Sequence, residues 1–184
     1  MDATNRSKRV TFLIIITVAI SLASAINYQA NSAEMQSEDL AVREVLLRSA
    51  TSFEKNDISA ATKVWANDES LTIFESGHAN YGWADYRDHH LVPEMGEMKN
   101  TKFEFSDLKI HLAGNKAWVT LKYTLSADVM DNGKSRHLDG GGLGTAILEK
   151  RGDGWRIVHW HSSAPRRAPA AAPSPSPKTV SELV

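Results

Sequence analysis

The spacing of apolar residues predicts helices in the first half of the chain and strands in the second half. From Ser37 to about Lys55, apolar residues recur every three or four positions, which predicts an amphipathic helix whose apolar stripe packs in the core. Residues 56–57 interrupt this pattern, and a second, short helix is predicted from Ile58 to Trp65. A third helix is predicted from Trp83 to about Leu91, and Pro93 is compatible only with the opening of a further turn.

The second half of the chain alternates between apolar and polar positions with the period of two that strands produce. Asp131-Asn132-Gly133 is a strong hairpin signal between two of the strands. An earlier strand and a loop, Gly77 to Gly82, are predicted before the third helix. The predicted strands are Leu71–Glu75, Lys102–His111, 117–125, 134–150 and 155–163. Helices followed by a meander of strands predict an α+β fold.

The closing strand carries two histidines at strand spacing. Alternation predicts that Ile157, His159 and His161 lie on one face of this strand, with Val158 and Trp160 on the other. Because both faces contain apolar residues, the strand is predicted to be covered on both sides. Imidazole suits both proton transfer and metal ligation, so the histidine pair is the first candidate for chemistry.

The same stretch, Lys150 to Ser163, resembles the closing strand of the SnoaL-like branch of the nuclear transport factor 2-like superfamily. It is also similar to the end of the association domain of calcium/calmodulin-dependent protein kinase II. Phe53 to Asp57 resembles the family's helical opening, and Gly82 to Arg87 the start of its third helix. The resemblance covers roughly residues 36–164. It implies a cystatin-like cone, in which a curved mixed or antiparallel sheet wraps around three N-terminal helices and forms a pocket.

The resemblance leaves the activity open, because the superfamily includes isomerases, cyclases, dehydratases and non-catalytic binding or assembly modules. Its isomerases and cyclases use an acid in an apolar pocket as a general base or oxyanion donor, and burial raises the pKa of such a group. Glu75 and Asp139 are the candidate acids in this sequence. The steroid isomerase pattern of one tyrosine and two aspartates cannot be matched residue by residue.

The N-terminus has the pattern of a secretory signal peptide. Three basic residues precede an apolar run over 10–22, and Ala23-Ser24-Ala25 matches a small-x-small cleavage site. The run is short for a membrane span, so cleavage after Ala25 and a secreted or periplasmic location are predicted, with Ala33 as a second cleavage point. The alternative is an uncleaved leader, which would be the protein's only link to a membrane.

The rest of the chain divides into a polar spacer at 26–36, a folded domain at 37–164 and a tail at 165–184. The tail is rich in proline, alanine and serine and is predicted to be disordered. The chain has no cysteine, which excludes cysteine nucleophiles, thiolate zinc sites and iron–sulfur clusters. Its 21 basic and 22 acidic side chains give no basic field, so nucleic acid is not an expected partner.

The glycine-rich stretch Gly140-Gly141-Gly142-Leu143-Gly144 does not have the pattern of a phosphate-binding loop. It lacks the Gly-Lys-Ser/Thr ending and the following helix, and its context is a strand. These glycines are therefore predicted to sit at a bend or bulge of the sheet and to leave space for a cavity. The sequence also lacks the Gly-x-Ser-x-Gly elbow of serine hydrolases.

Three functions remain open on the sequence. The first is binding of a small, partly apolar ligand, including carboxylate-bearing compounds, with isomerase- or lyase-type proton transfer by His159, His161 or Asp139. The second is a homodimeric or larger assembly module with its contact at Trp118, Thr120 and Thr124. The third is a metal site at the His159/His161 pair, completed by His137, His89 or Glu75. No cofactor is predicted. The expected pocket-lining residues are Glu75, Trp83, Tyr86, His89 or His90, Tyr123 and His137, with the histidine pair.

Overall fold

The computed structural model describes residues 3–131 and 133–165, with side chains from 26 to 130 and from 133 to 165. The helices are α1 (Ala3–Glu54), α2 (Ile58–Thr62), α3 (Trp83–Tyr86) and α4 (Val92–Glu97), with a π-helical turn at Arg87–Leu91 between the last two. The side chains of the predicted signal peptide and the predicted tail beyond Pro165 lie outside the described residues. Within the described part, no helix is long and apolar enough to cross a membrane.

In the described part of the chain, six strands form one curved mixed sheet, which confirms the predicted α+β cone fold. The strand order is β2-β1-β6-β5-β4-β3, and among the described strands β1 and β6 pair in parallel while the other neighbours are antiparallel. The strands are β1 (Thr72–Glu75), β2 (His78–Tyr81), β3 (Met98–Ala113), β4 (Lys116–Asp131), β5 (Lys134–Arg151) and β6 (Gly154–Ser163).

The core lies between α1 and the inner face of the sheet. Val42, Val45 and Leu46 on α1 are buried, as the predicted stripe requires. They pack with residues of the sheet that are fully buried, including Ile73 and Leu148. The opposite side of the sheet, turned away from α1, is called the outer face below.

The segment predicted as a loop between β1 and the third helix forms β2 instead. Ser76 and Gly77 both have positive φ, 51° and 83°, so the chain reverses in a two-residue turn. Glu75 then pairs with His78, and β1 with β2 becomes a short hairpin. The predicted loop at Gly77 to Gly82 is therefore wrong, because the turn is tighter than the sequence pattern indicated.

The third helix is also divided differently from the prediction. The α-helical hydrogen-bonding pattern stops after Tyr86 and is replaced by the π-helical turn. It resumes in α4, which has Pro93 in its first turn. Pro93 thus comes just after the π-helical turn. A single π-helical turn changes which side chains share a face, and such turns are common at functional sites.

A β-bulge in β6 changes the predicted alternation. Leu148 pairs with Ile157 and Ile147 pairs with His159, so Val158 is an extra residue on its strand. Ile157 and Trp160 are therefore both buried on the inner face, while His159 lies on the outer face and His161 is exposed. The prediction that Ile157 shares a face with the two histidines is wrong, because the extra residue places Ile157 on the inner face.

Candidate functional site

A cavity of about 350 Å³ lies between the C-terminal part of α1, the inner face of the sheet and the helices around Tyr86 to Glu94. Its volume is at the lower end of the range for small-molecule sites. Seven aromatic side chains form what is called the aromatic wall: Phe53, Trp65, Tyr86, Phe103, Phe105, Tyr123 and Trp160.

The rings of the aromatic wall contact one another along the cavity. The ring centroids of Phe103 and Phe105 are 5.0 Å apart, and those of Phe105 and Trp160 are 5.6 Å apart. Trp65 continues the series to Tyr86, with a centroid distance of 5.4 Å. Because each ring is held by its neighbours, the cavity is shaped for an apolar or aromatic body.

Glu75 brings a carboxylate into this apolar cavity. The parallel β1–β6 pairing places it next to Ser162. Its Oε1 atom accepts hydrogen bonds from the Trp160 Nε1–H at 2.9 Å and from the Ser162 hydroxyl at 2.8 Å. The Oε2 atom lies 3.3 Å from Nε2 of His90. One oxygen of Glu75 is thus fixed by the strand, and the other faces the helix across the cavity.

His90 reaches the cavity from the π-helical turn, and its tautomer follows from its partners. Asn80 is buried, and its Nδ2 donates to Asp85 Oδ2 at 3.1 Å, so its Oδ1 can only accept. His90 Nδ1 lies 2.9 Å from that oxygen and must carry the hydrogen. His90 Nε2 is therefore directed at the carboxylates, at 3.3 Å from Glu75 and 3.7 Å from Glu94.

Glu94 is the second carboxyl group of the cavity. Burial raises its pKa to about 7, and the nearby negative charges of Glu75 and Glu97 add to the effect. The group consequently gains and loses its proton near neutral pH, as a general acid–base catalyst must.

Two tyrosines supply neutral hydroxyl groups to the same cavity. Burial raises the pKa of Tyr86 well above its ordinary value, and the charges of Glu75 and Glu94 raise it further. The pKa of Tyr123 is also raised by burial, although its side-chain hydrogen bond with Ser162 acts in the opposite direction. Both phenols therefore stay protonated and can serve as hydrogen-bond donors at neutral pH.

A match to a protein-family model shows which family this chain belongs to. The model describes a SnoaL-like domain, and it matches residues 42–167, more than half of the chain. The chain belongs to the SnoaL-like domain family. A comparison with curated proteins found no match.

Solved structures show the same fold as this SnoaL-like domain. One is a nuclear transport factor 2-like superfamily protein from Salmonella enterica serovar Typhimurium, with a TM-score of 0.66, 21% identity and coverage of 74% of this chain and 97% of that one. A dehydratase candidate of the same superfamily from Streptomyces avermitilis has a TM-score of 0.63, 14% identity and coverage of 71% and 99%. A ketosteroid isomerase candidate from Shewanella frigidimarina has a TM-score of 0.53, 24% identity and coverage of 65% and 92%.

The SnoaL-like domain brings four of the sequence-predicted residues to the cavity: Glu75, Tyr86, His90 and Tyr123. Trp83 is buried behind Tyr86, with a ring-centroid distance of 6.2 Å, and does not line the cavity. His89 points to solvent and pairs with Asp85 at 2.9 Å. The choice between His89 and His90 is thus settled by the position of each side chain.

The predicted histidine pair lies on the outer face. His159 Nδ1 is 2.7 Å from the Thr72 hydroxyl, and the Phe74 ring contacts both His159 and His161. Burial and the nearby His161 lower the pKa of His159. His159 and His161 do not line the cavity, because the bulge at Val158 turns them away from it.

His137 and Asp139 also lie away from the cavity, on the exposed hairpin of β4 and β5. His137 Nδ1 is 2.8 Å from Asp128, which raises the pKa of the imidazole. Among the described residues, no three histidine, aspartate or glutamate side chains are grouped to hold a metal ion. The predicted third ligands, His137, His89 and Glu75, are thus not grouped with the histidine pair.

Sequence reasoning missed four residues of the site: Asn80, Glu94, Trp160 and Ser162. Glu94 follows His90 by four residues, a spacing that places two side chains side by side on a helix. This spacing in the sequence could have indicated Glu94 as a neighbour of His90. The alternation predicts Trp160 on the face opposite the histidine pair and indicates no role for Ser162, because a bulge leaves no mark in that pattern. Asn80 lay in a predicted loop and gave no signal.

Replacing Glu94 by glutamine should make the protein more stable at pH 8 but not at pH 5. The folded-state pKa, about 7, lies above the ordinary 4.5, so the folded state keeps a proton that the unfolded state releases. Stability contributed by this proton is present at low pH and is lost as the pH rises toward 7. Because 35% of the Glu94 side chain is exposed, we expect a gain of about 1–2 kcal/mol at pH 8.

Urea unfolding at both pH values measures this difference. Glu104→Gln, which removes an exposed carboxylate from β3, is the matched control and should show little dependence on pH. Equal stability of Glu94→Gln and the unsubstituted protein at pH 8 would contradict the assignment of Glu94 as a buried, proton-holding group.

Proposed function

We propose that this SnoaL-like domain binds a small, mainly apolar molecule in its cavity and transfers a proton on it, as isomerases and lyases do. The observation that carries the proposal is the position of His90 Nε2, between Glu75 at 3.3 Å and Glu94 at 3.7 Å, inside an aromatic cavity. An imidazole nitrogen with two carboxyl groups beside it, in surroundings of low polarity, is suited to general acid–base catalysis.

The three groups differ in what they can do. Asn80 occupies His90 Nδ1, so Nε2 is the atom that exchanges a proton with the cavity. Glu75 is held as an acceptor by Trp160 and Ser162, which suits removal of a proton from ligand carbon. Glu94, with a pKa of about 7, can return a proton to the ligand. Return to another carbon gives isomerisation, and delivery to a departing hydroxyl releases water and forms a double bond.

Deuterium exchange tests this proposal without knowledge of the natural ligand. Small cyclic enones and aryl ketones are incubated with the full chain in D₂O, and loss of the proton next to the carbonyl is followed by NMR. We expect protein-dependent exchange whose rate changes with an apparent pKa near 7, and this change should disappear in Glu94→Gln. A lack of protein-dependent exchange across the panel, or an unchanged pH profile in the variant, would contradict the proposal.

The outer face supports a second role, dimerisation. Trp118 pairs with Ile147, and Ile147 pairs with His159, so these side chains form a row across the sheet. Trp118 is 47% exposed and Ile147 is 38% exposed, and Leu143 and Tyr81 add exposed apolar surface. A contiguous apolar area of this kind is typical of a protein–protein contact, and a second copy of the chain is the proposed partner.

We expect the protein to be a dimer at micromolar concentration by light scattering. Ile147→Asp should yield a folded monomer, because it places a charge in the middle of the apolar row. Leu40→Asp, which changes an exposed leucine on α1, serves as the control and should leave the dimer intact. A monomeric unsubstituted protein would contradict this role but not the cavity chemistry.

A further inference from the structure

The charged groups around the cavity are predominantly acidic. Glu75 and Glu94 line it, and among the described residues its lining contains no lysine or arginine. The lining side chains that can become positive are His78 and His90. A ligand carboxylate would therefore meet two glutamates and would have no basic partner other than a histidine.

One imidazole cannot compensate both carboxylates. His90 Nε2 carries at most one hydrogen, and it lies closer to Glu75, at 3.3 Å, than to Glu94, at 3.7 Å. The raised pKa of Glu94 reflects the same excess of negative charge, because it arises from burial next to other carboxylates. A positive group in the cavity would relieve this repulsion and allow both carboxylates to remain ionised.

The aromatic wall favours a positive group as well. A cation over the face of a tryptophan, tyrosine or phenylalanine ring is attracted by the negative face of the π-system. Trp65 and Tyr86, in mutual contact, line the cavity together with the two carboxylates. The phenylalanines Phe103 and Phe105 supply the apolar surface that the rest of a ligand needs.

We propose that the ligand of this cavity is a small organic cation, whose ammonium group contacts the carboxylates of Glu75 and Glu94 from the cavity and whose apolar or aromatic body lies against the aromatic wall. An ammonium group has up to three N–H donors, which matches two carboxylates that lie on either side of His90. The inference rests on the proposed ligand-binding role of the cavity. It does not depend on proton transfer.

Three probes of nearly equal size and different charge test the inference: phenethylamine, 2-phenylethanol and phenylacetate. Their dissociation constants for the full chain are measured by calorimetry at pH 8, where Glu94 is mainly ionised. We expect the amine to bind at least about tenfold more tightly than the alcohol, and the acid to bind more weakly than both. Equal or tighter binding of the alcohol or the acid would overturn the inference, as would the failure of all three to bind.

Isosteric variants locate the effect. Glu75→Gln and Glu94→Gln should each reduce the advantage of the amine over the alcohol by about fivefold or more, whereas Glu104→Gln, with the same change of charge on β3, should not. An unchanged advantage in the Glu75→Gln, Glu94→Gln double variant would overturn the inference, provided that circular dichroism shows the native fold. If the amine binds but no deuterium exchange is seen, the proton-transfer proposal is rejected and the cation proposal stands. If exchange is seen but the amine is not preferred, the cation proposal is rejected and the proton-transfer proposal stands.

Discussion

Gly142→Ala is expected to destabilise the protein by about 3 kcal/mol or more, which would be among the largest effects of a single methyl group in this chain. A Cβ atom at position 142 would lie 1.9 Å from the backbone oxygen of Ser163 and 3.0 Å from the Tyr123 hydroxyl. The neighbour on one side is backbone, so a side-chain rotation cannot relieve the overlap. The end of β6 would have to move away from β5, where Leu143 pairs with Ser163.

The same glycine-rich stretch contains the control for this experiment. A Cβ atom at Gly140 would have no neighbour within 4 Å, so Gly140→Ala should change the free energy of unfolding by less than about 0.5 kcal/mol. Urea unfolding of both variants, with the slope of the transition as a check on the native state, gives the comparison. Similar stabilities of the two variants would show that β6 can shift without cost, contrary to the packing described above.

The second large effect is expected at a pair of adjacent histidines. His90→Gln should lower the rate of protein-dependent deuterium exchange by about a hundredfold or more, because glutamine cannot pass a proton between the carboxyl groups of Glu75 and Glu94. His89→Gln should leave the rate nearly unchanged, since His89 faces solvent and its side chain is 75% exposed. The two substitutions are chemically identical and one position apart, so a general effect on the helix would change both rates.

A loss in both variants would indicate that the turn itself had been disturbed, and a loss in neither would exclude His90 as the proton-transferring group. The tautomer of His90 offers a check that is independent of turnover. Nitrogen NMR of the protein labelled at histidine should show His90 with its hydrogen on Nδ1, because Asn80 Oδ1 can only accept.

The fold was largely predictable from the sequence because long elements have repeated patterns. The stripe of α1 and the alternation in β4 extend over many residues, so a local irregularity does not hide them. The family resemblance then fixed the order of the elements. Glu75, Tyr86 and Tyr123 were found because they lie on regular strand or helix positions that face the cavity.

The parts of the site that could not be predicted depend on single-residue irregularities. One extra residue in β6, at Val158, directs Trp160 into the cavity and the His159/His161 pair to the outer face. The π-helical turn at Arg87–Leu91 alters the direction of His90 relative to α3. No residue pattern in the sequence marks either feature. Both depend on how the backbone hydrogen bonds pair with neighbouring elements. The alternation therefore predicts the His159/His161 pair in the lining of the cavity, where the structure places His90.

The parallel pairing of β1 with β6 has a consequence for the order in which the cavity is completed during synthesis. Glu75 is held by Trp160 and Ser162, which follow it by 85 and 87 residues in the chain. Contacts that close such long loops form late, since the entropy of loop closure must be overcome before they can stabilise the structure. On the ribosome, the helices and the first strands can assemble early, but the acid of the cavity has no fixed orientation until the last strand has emerged. The cavity therefore stays incomplete until β6 docks against β1.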